Sequence, residues 1–140
     1  MFELHPQLAA DCETLGRFEL CRLLLMNDAN YPWCILVPER AGVREIYELA
    51  PVDQQQLLRE SSALAAGMAR VFDADKMNVA ALGNVVPQLH VHHIVRHTSD
   101  PAWPAPVWGK VPVRPYTSAE LQEVKVKLRG VLATGFRWIE

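Results

Sequence analysis

The spacing of apolar and polar positions changes along the chain and divides it into elements. Leu4, Leu8, Ala9 and Cys12 recur at helical spacing and Pro6 suits a first turn, so a short helix is predicted over about 6–12. Thr14-Leu15-Gly16 breaks it. Phe18, Leu20 and Arg22 then alternate with Glu19 and Cys21 and lead into Leu23-Leu24-Leu25-Met26, which reads as one strand, or two with a bend. A turn by composition, 27–32, joins it to the strand 33–37, closed by Pro38, as an antiparallel hairpin. Residues 45–49 form a helical turn. Asp53 caps a longer helix, with Gln56 in a near capping box, and Leu57, Leu64, Met68 and Val71 mark one face as far as Phe72. Arg59 and Ser62 stand on the other face, so this helix should pack on a sheet. Residues 76–82 read as a strand, and Gly83-Asn84 as a turn.

The next stretch, Gln88-Leu89-His90-Val91-His92-His93-Ile94-Val95-Arg96, holds three of the five histidines. In an extended strand side chains alternate between faces. Gln88, His90, His92, Ile94 and Arg96 then share one face, and Leu89, Val91 and Val95 the other. Imidazoles on a strand act as bases, nucleophiles or metal ligands, or merely as polar residues on the wet side of a sheet. Paired as here, beside Gln88 and after Gly83-Asn84, they suit a pocket for an anion. His93 faces the opposite side from His90. Between 100 and 115 five prolines with Trp103 and Trp108 forbid regular structure. Thr117 and Glu120 open a terminal helix to about Ala133, ended by Gly135, with Phe136, Arg137, Trp138 and Ile139 as a tail. This order of strands, helix, strands and helix is α+β with an antiparallel sheet, in a single domain spanning 1–140.

Composition narrows the function. A net charge of −2 argues against bulk electrostatic binding of nucleic acid. No apolar run approaches the ~20 residues of a membrane span, and the first residues lack the basic-then-apolar order of a signal peptide. Cys12, Cys21 and Cys34, odd in number and widely spaced, fit reduced thiols and a cytoplasmic location better than disulfides. A catalytic cysteine is the lesser alternative.

The histidine stretch resembles the signature of the histidine triad (HIT) family, His-φ-His-φ-His-φ-φ with φ apolar, often followed by Pro-Arg. With Arg96 on the terminal Arg, Gln88 takes the first triad position, His90 the second and His92 the third. Two triad histidines are kept, and Gln88 departs from the pattern because an amide cannot carry a proton. The resemblance implies an antiparallel sheet of about five strands with a long helix, covering about 15–97, and a homodimer. It implies an enzyme, a nucleotide hydrolase or nucleotidyl transferase, with His90 attacking an α-phosphorus to give a covalent nucleotidyl-histidine. His92 and Gln88 assist at the phosphate or leaving group. The implied substrates are dinucleoside polyphosphates, as in diadenosine tetraphosphate hydrolases, or nucleoside phosphoramidates. Asn84 would touch the phosphates, Asn27 the ribose (Asp28 if the register slips by one), and Asn78 the nucleotide pocket. Leu25, Ile35 and Leu82 line the base site or simply the core. Arg96 is a phosphate clamp or, more simply, a surface charge at a strand end. Trp103 and Trp108 cover the pocket mouth or a partner subunit. No resident metal or cofactor is expected, although a divalent cation such as Mg²⁺ can enter with the substrate. Two other readings stay open: a nucleotide-binding module with little turnover, and a zinc protein using the His-x-His pair with a third ligand such as His97 or Asp100.

Overall fold

Residues 1–132 and 135–139 are described by the structure, a computed structural model. Pro6 starts a short helix, α1 (Pro6–Asp11), as the sequence leads one to expect, and His5 caps it by accepting from the Gln7 N–H. The chain then enters a strand at once, β1 (Cys12–Arg17). The Thr14-Leu15-Gly16 segment read as a break is instead a register shift inside this strand, between Thr14 and Gly16. β2 (Cys21–Met26) and β3 (Trp33–Pro38) form the expected hairpin. A 3₁₀ turn, Ile46–Glu48, precedes the long helix α2 (Pro51–Val71). Asp53 does not cap this helix: Ala50 holds the cap position, Pro51 opens the first turn, and Asp53 receives a two-pronged contact from Arg40. β4 (Lys76–Ala80) and β5 (Val91–Arg96) follow, then α3 (Ser118–Arg129) and β6 (Arg137–Trp138). α3 has the expected capping box of Thr117 and Glu120 but stops at Arg129, capped by Gly130. The expected end at Ala133 falls outside the described residues.

The sheet runs β4-β5-β3-β2-β1-β6, every pairing antiparallel. It has six strands where about five were expected, because the C-terminal tail supplies β6. Gly16 lets β6 dock, since a Cβ there would collide with the Arg137 carbonyl oxygen. One face of the sheet packs Leu23, Leu25, Leu36, Val91 and Val95 against Leu57, Leu64 and Met68 of α2 and Leu128 of α3. The other face packs Leu24, Ile35, Val37 and Ile94 under Leu8 of α1 and Ala102 and Val107 of the Pro-rich loop. Covering on both sides explains why the central strands read as apolar runs rather than alternations; all of β3 and β5 is buried. No helix among the described residues is long and apolar enough to cross a membrane.

Candidate functional site

β5 begins at Val91, not Gln88, so His90 sits just before the strand and His92 within it. The faces are those expected: Val91 and Val95 lie under α2, and Ile94 lies on the other side. His93 goes under α2, where its Nδ1–H donates to the Val91 carbonyl at 3.1 Å and its Nε2 accepts from Ser61 Oγ at 2.7 Å. Burial pushes the His93 pKa down to about 4, so the ring is neutral.

His90 and His92 stand together, their rings edge to face with centroids 4.9 Å apart. Both line a cavity of about 470 Å³ with Leu8, Met26, Ile35, Leu82, Asn84 and Trp108 among its walls. A carbonyl oxygen only accepts, so the 2.7 Å contact between His90 Nδ1 and the Gln88 carbonyl places a proton on Nδ1. The Nε2 of a neutral His90 ring therefore keeps its lone pair. An indole only donates, so the 3.0 Å bond from Trp33 Nε1 makes His92 Nδ1 an acceptor. The His92 proton then sits on Nε2. Burial, with His90 and His93 close by, pushes the His92 pKa down to about 3. Of these two neutral rings, the nitrogens that Gln88 and Trp33 leave unengaged are thus one bare and one protonated.

Of the residues singled out from sequence, the cavity gathers His90, His92, Asn84, Ile35, Leu82 and Trp108. Gly83 beside Asn84 adopts φ +77°, which lets the backbone turn along its rim. Gln88 is placed differently. Its Nε2 donates to the Glu3 carbonyl at 2.8 Å and its Oε1 accepts from the His5 N–H at 2.9 Å, so the side chain fastens the N-terminal segment. Asn27 accepts from the Tyr116 N–H at 2.9 Å and lines a smaller cavity of about 170 Å³ with Leu25, Asp11 and Tyr116. Asp28 is buried and bonds the Asn30 and Arg114 N–H groups. Asn78 accepts from Arg96 Nη1 at 2.8 Å.

Arg96 is neither a clamp nor a surface charge: only 1% of it is exposed, and it is paired with Asp100 at 2.8 Å. Residues that the sequence reading passed over are Trp33, taken as a plain strand residue, and Asp11 and Gln7 of α1, which reach the cavity wall. Asp11 is the one charged side chain among the residues lining it. Among the described residues no group of three His, Cys, Asp or Glu side chains is placed to hold a metal.

Replacing Gln88 by Ala removes both strap bonds while sparing the main-chain carbonyl that orients His90. At roughly 1 kcal/mol per bond, a loss of about 2 kcal/mol is expected, together with faster amide exchange at His5. Unchanged exchange there would show that the strap does not hold the segment.

A model of the HIT domain matches residues 7–99. A histidine triad protein from Marinobacter aquaeolei VT8 is 60% identical in a solved structure, with TM-score 0.93 over 96% of this chain and 98% of that one. Those from Bradyrhizobium japonicum and Sinorhizobium meliloti 1021 are 43% and 42% identical, with TM-scores of 0.92 and 0.91, each over 94% of this chain and 98% of the other. No curated protein matches the sequence. With the family model spanning about two thirds of the chain and the fold agreeing, the chain belongs to the HIT domain family.

Proposed function

We propose that the chain is a nucleotide hydrolase or nucleotidyl transferase that works through a covalent intermediate on His90. HIT proteins bind nucleotides, and the family includes nucleotide hydrolases and transferases. The observation that carries the reading is the His90 ring: its Nδ1–H is held by the Gln88 carbonyl at 2.7 Å, and the ring lines the cavity. A neutral imidazole oriented in this way is a ready nucleophile.

In the first step His90 Nε2 attacks the α-phosphorus and the bond from phosphorus to the leaving group breaks. The phosphoryl centre, now bonded to Nε2, carries the nucleoside. Water then attacks the same phosphorus, the N–P bond breaks, and a nucleoside monophosphate leaves with the ring restored. Asn84, in the cavity wall, is the amide we assign to a phosphate oxygen, and Leu82, Ile35 and Trp108 in the same wall are the apolar side chains we assign to a base or leaving group. Substrates of the nucleoside phosphoramidate or dinucleoside polyphosphate type fit this chemistry.

A nucleotide-binding module with little turnover is the second reading. It is favoured by His92, whose neutral ring offers no readily released proton to a leaving group. One experiment separates the two. The full chain is mixed with adenosine 5′-phosphoramidate, quenched in alkali and weighed. A gain of one AMP, located on His90, supports the enzyme. Nucleotide binding without adduct or turnover supports the module and sinks the proposal.

A further inference from the structure

His92 is held on three sides by aromatic rings. Trp33 from β3, Trp108 from the Pro-rich loop and His90 lie at centroid distances of 5.7, 5.1 and 4.9 Å, all edge to face. Only one of these neighbours makes a hydrogen bond to the ring, the indole of Trp33 at 3.0 Å. Neutral imidazole in water exists as two tautomers. A buried bond from a group that can only donate removes that choice, because the nitrogen it meets must be bare.

Trp33 is itself fixed. It is buried, pairs with Ile94 across the β3–β5 ladder, and packs edge to face on Tyr31 at 6.3 Å and on Trp108 at 5.8 Å. The direction of its N–H is therefore set by the core and not by the ligand.

We propose that Trp33 is a positioning residue, whose indole N–H locks His92 as the Nε2–H tautomer so that a hydrogen-bond donor stands beside the nucleophilic nitrogen of His90. The inference rests on His90 being the nucleophile. The lock limits what His92 does. Its single ring proton is on Nε2, and Nδ1 has none to pass on, so giving that proton away would leave an imidazolate against an indole donor. His92 thus donates a hydrogen bond to a phosphoryl oxygen as negative charge builds there, and the proton for the leaving group comes from solvent. With the other tautomer, two bare nitrogens would face the anionic phosphate and repel it. The titratable groups around His92 are His90 and His93 on its own segment and Asp11 of α1 in the cavity wall. Its cross-strand partners, Ile35 on β3 and Ala80 on β4, carry no charge.

The test uses the full chain labelled with ¹⁵N-histidine, with and without Trp33→Phe. Phenylalanine keeps an aromatic body and removes only the donor. In the native protein the two-bond ¹H–¹⁵N correlations of His92 should show a bare Nδ1 and a protonated Nε2, unchanged from about pH 8 to about pH 5. In Trp33→Phe the Nδ1–H form should become populated. With adenosine 5′-phosphoramidate the variant should lose about 10–100-fold in kcat, in the range for orienting partners, with KM little altered. In a His92→Gln background Trp33→Phe should cost nothing further. The same single tautomer in the variant, or an equal kcat loss in the His92→Gln background, would overturn the proposal. Should native protein give neither turnover nor adduct, the hydrolase reading fails by itself, and the tautomer measurement still decides the role of Trp33.

Discussion

His90→Ala should abolish turnover, with kcat falling by about 10⁴-fold or more, as loss of a covalent nucleophile does in other enzymes. The change removes the bare ring nitrogen of His90, and no other side chain in the cavity wall replaces it as a nucleophile. The Asp11 carboxylate lies in the same wall but would repel an anionic phosphate. His92 presents N–H, not a lone pair. Folding should survive, because the His90 side chain makes one hydrogen bond, and it goes to a main-chain carbonyl two residues away. Nucleotide affinity should fall far less than kcat, since the apolar walls and Asn84 remain. His92→Gln should be milder. It trades the fixed ring N–H for an amide N–H that the ring no longer aims at the developing charge, a loss of no more than about 10²–10³-fold by comparison with single oxyanion donors. The check is kcat and KM for both variants with adenosine 5′-phosphoramidate, together with the mass of the quenched enzyme. Equal losses for the two variants would mean that His90 has no special role, and an adduct surviving in His90→Ala would place the nucleophile elsewhere.

The part of this site legible in the sequence is the part carried by one segment. Alternation along 88–96 sorted His90 and His92 from Val91 and Val95, and the structure keeps that division. Short-range signals also gave the capping box of α3 and the β2–β3 hairpin. What could not be read depends on partners distant in sequence. β6 is two residues long and exists because Gly16 leaves room for it, 121 positions before Arg137. β1, with Glu13 and Thr14 facing partly outward, has neither the alternation nor the apolar run of its neighbours. Gln88 shares a strand face with the histidines by alternation alone, yet its amide is spent on Glu3 and His5, 85 and 83 residues away. Asn78 and Asn27 look like pocket amides, but one is taken by Arg96 and the other by the Tyr116 N–H. Trp33 was invisible as a site residue for the same reason. Its register opposite Ile94, one diagonal from His92, is fixed only when β3 meets β5.

The largest stability loss from a single substitution is expected at Arg96, a residue whose charge gives it the appearance of a surface group. Its Nε and Nη2 contact the two oxygens of Asp100 at 2.8 and 3.0 Å, and its Nη1 meets Asn78 Oδ1 at 2.8 Å. The guanidinium also stacks over Tyr31 and Trp103, each centroid 5.7 Å away. Asp100 in turn accepts from the His97, Ala102 and Trp103 N–H groups, and so shapes the start of the loop that carries Trp108 to His92. Burial alone would raise the Asp100 pKa, but Arg96 and the His97 and Ala102 N–H groups hold it below the usual carboxylate range. The sign follows: the stabilisation is complete above the unfolded pKa of about 3.9 and is lost as pH falls through the lower folded value. Arg96→Met leaves that buried carboxylate unpaired, at a cost of about 3–5 kcal/mol. An exposed pair such as Arg114–Glu120 should contribute less than about 1 kcal/mol. Urea unfolding at pH 7 measures the difference, and the double variant Arg96→Met, Asp100→Asn should regain part of the loss, because no unpaired charge remains and an amide oxygen still accepts from the loop N–H groups. A cost below about 1 kcal/mol for Arg96→Met would show that water reaches Asp100 once the guanidinium is gone, and that Arg96 does not hold the loop over the histidines.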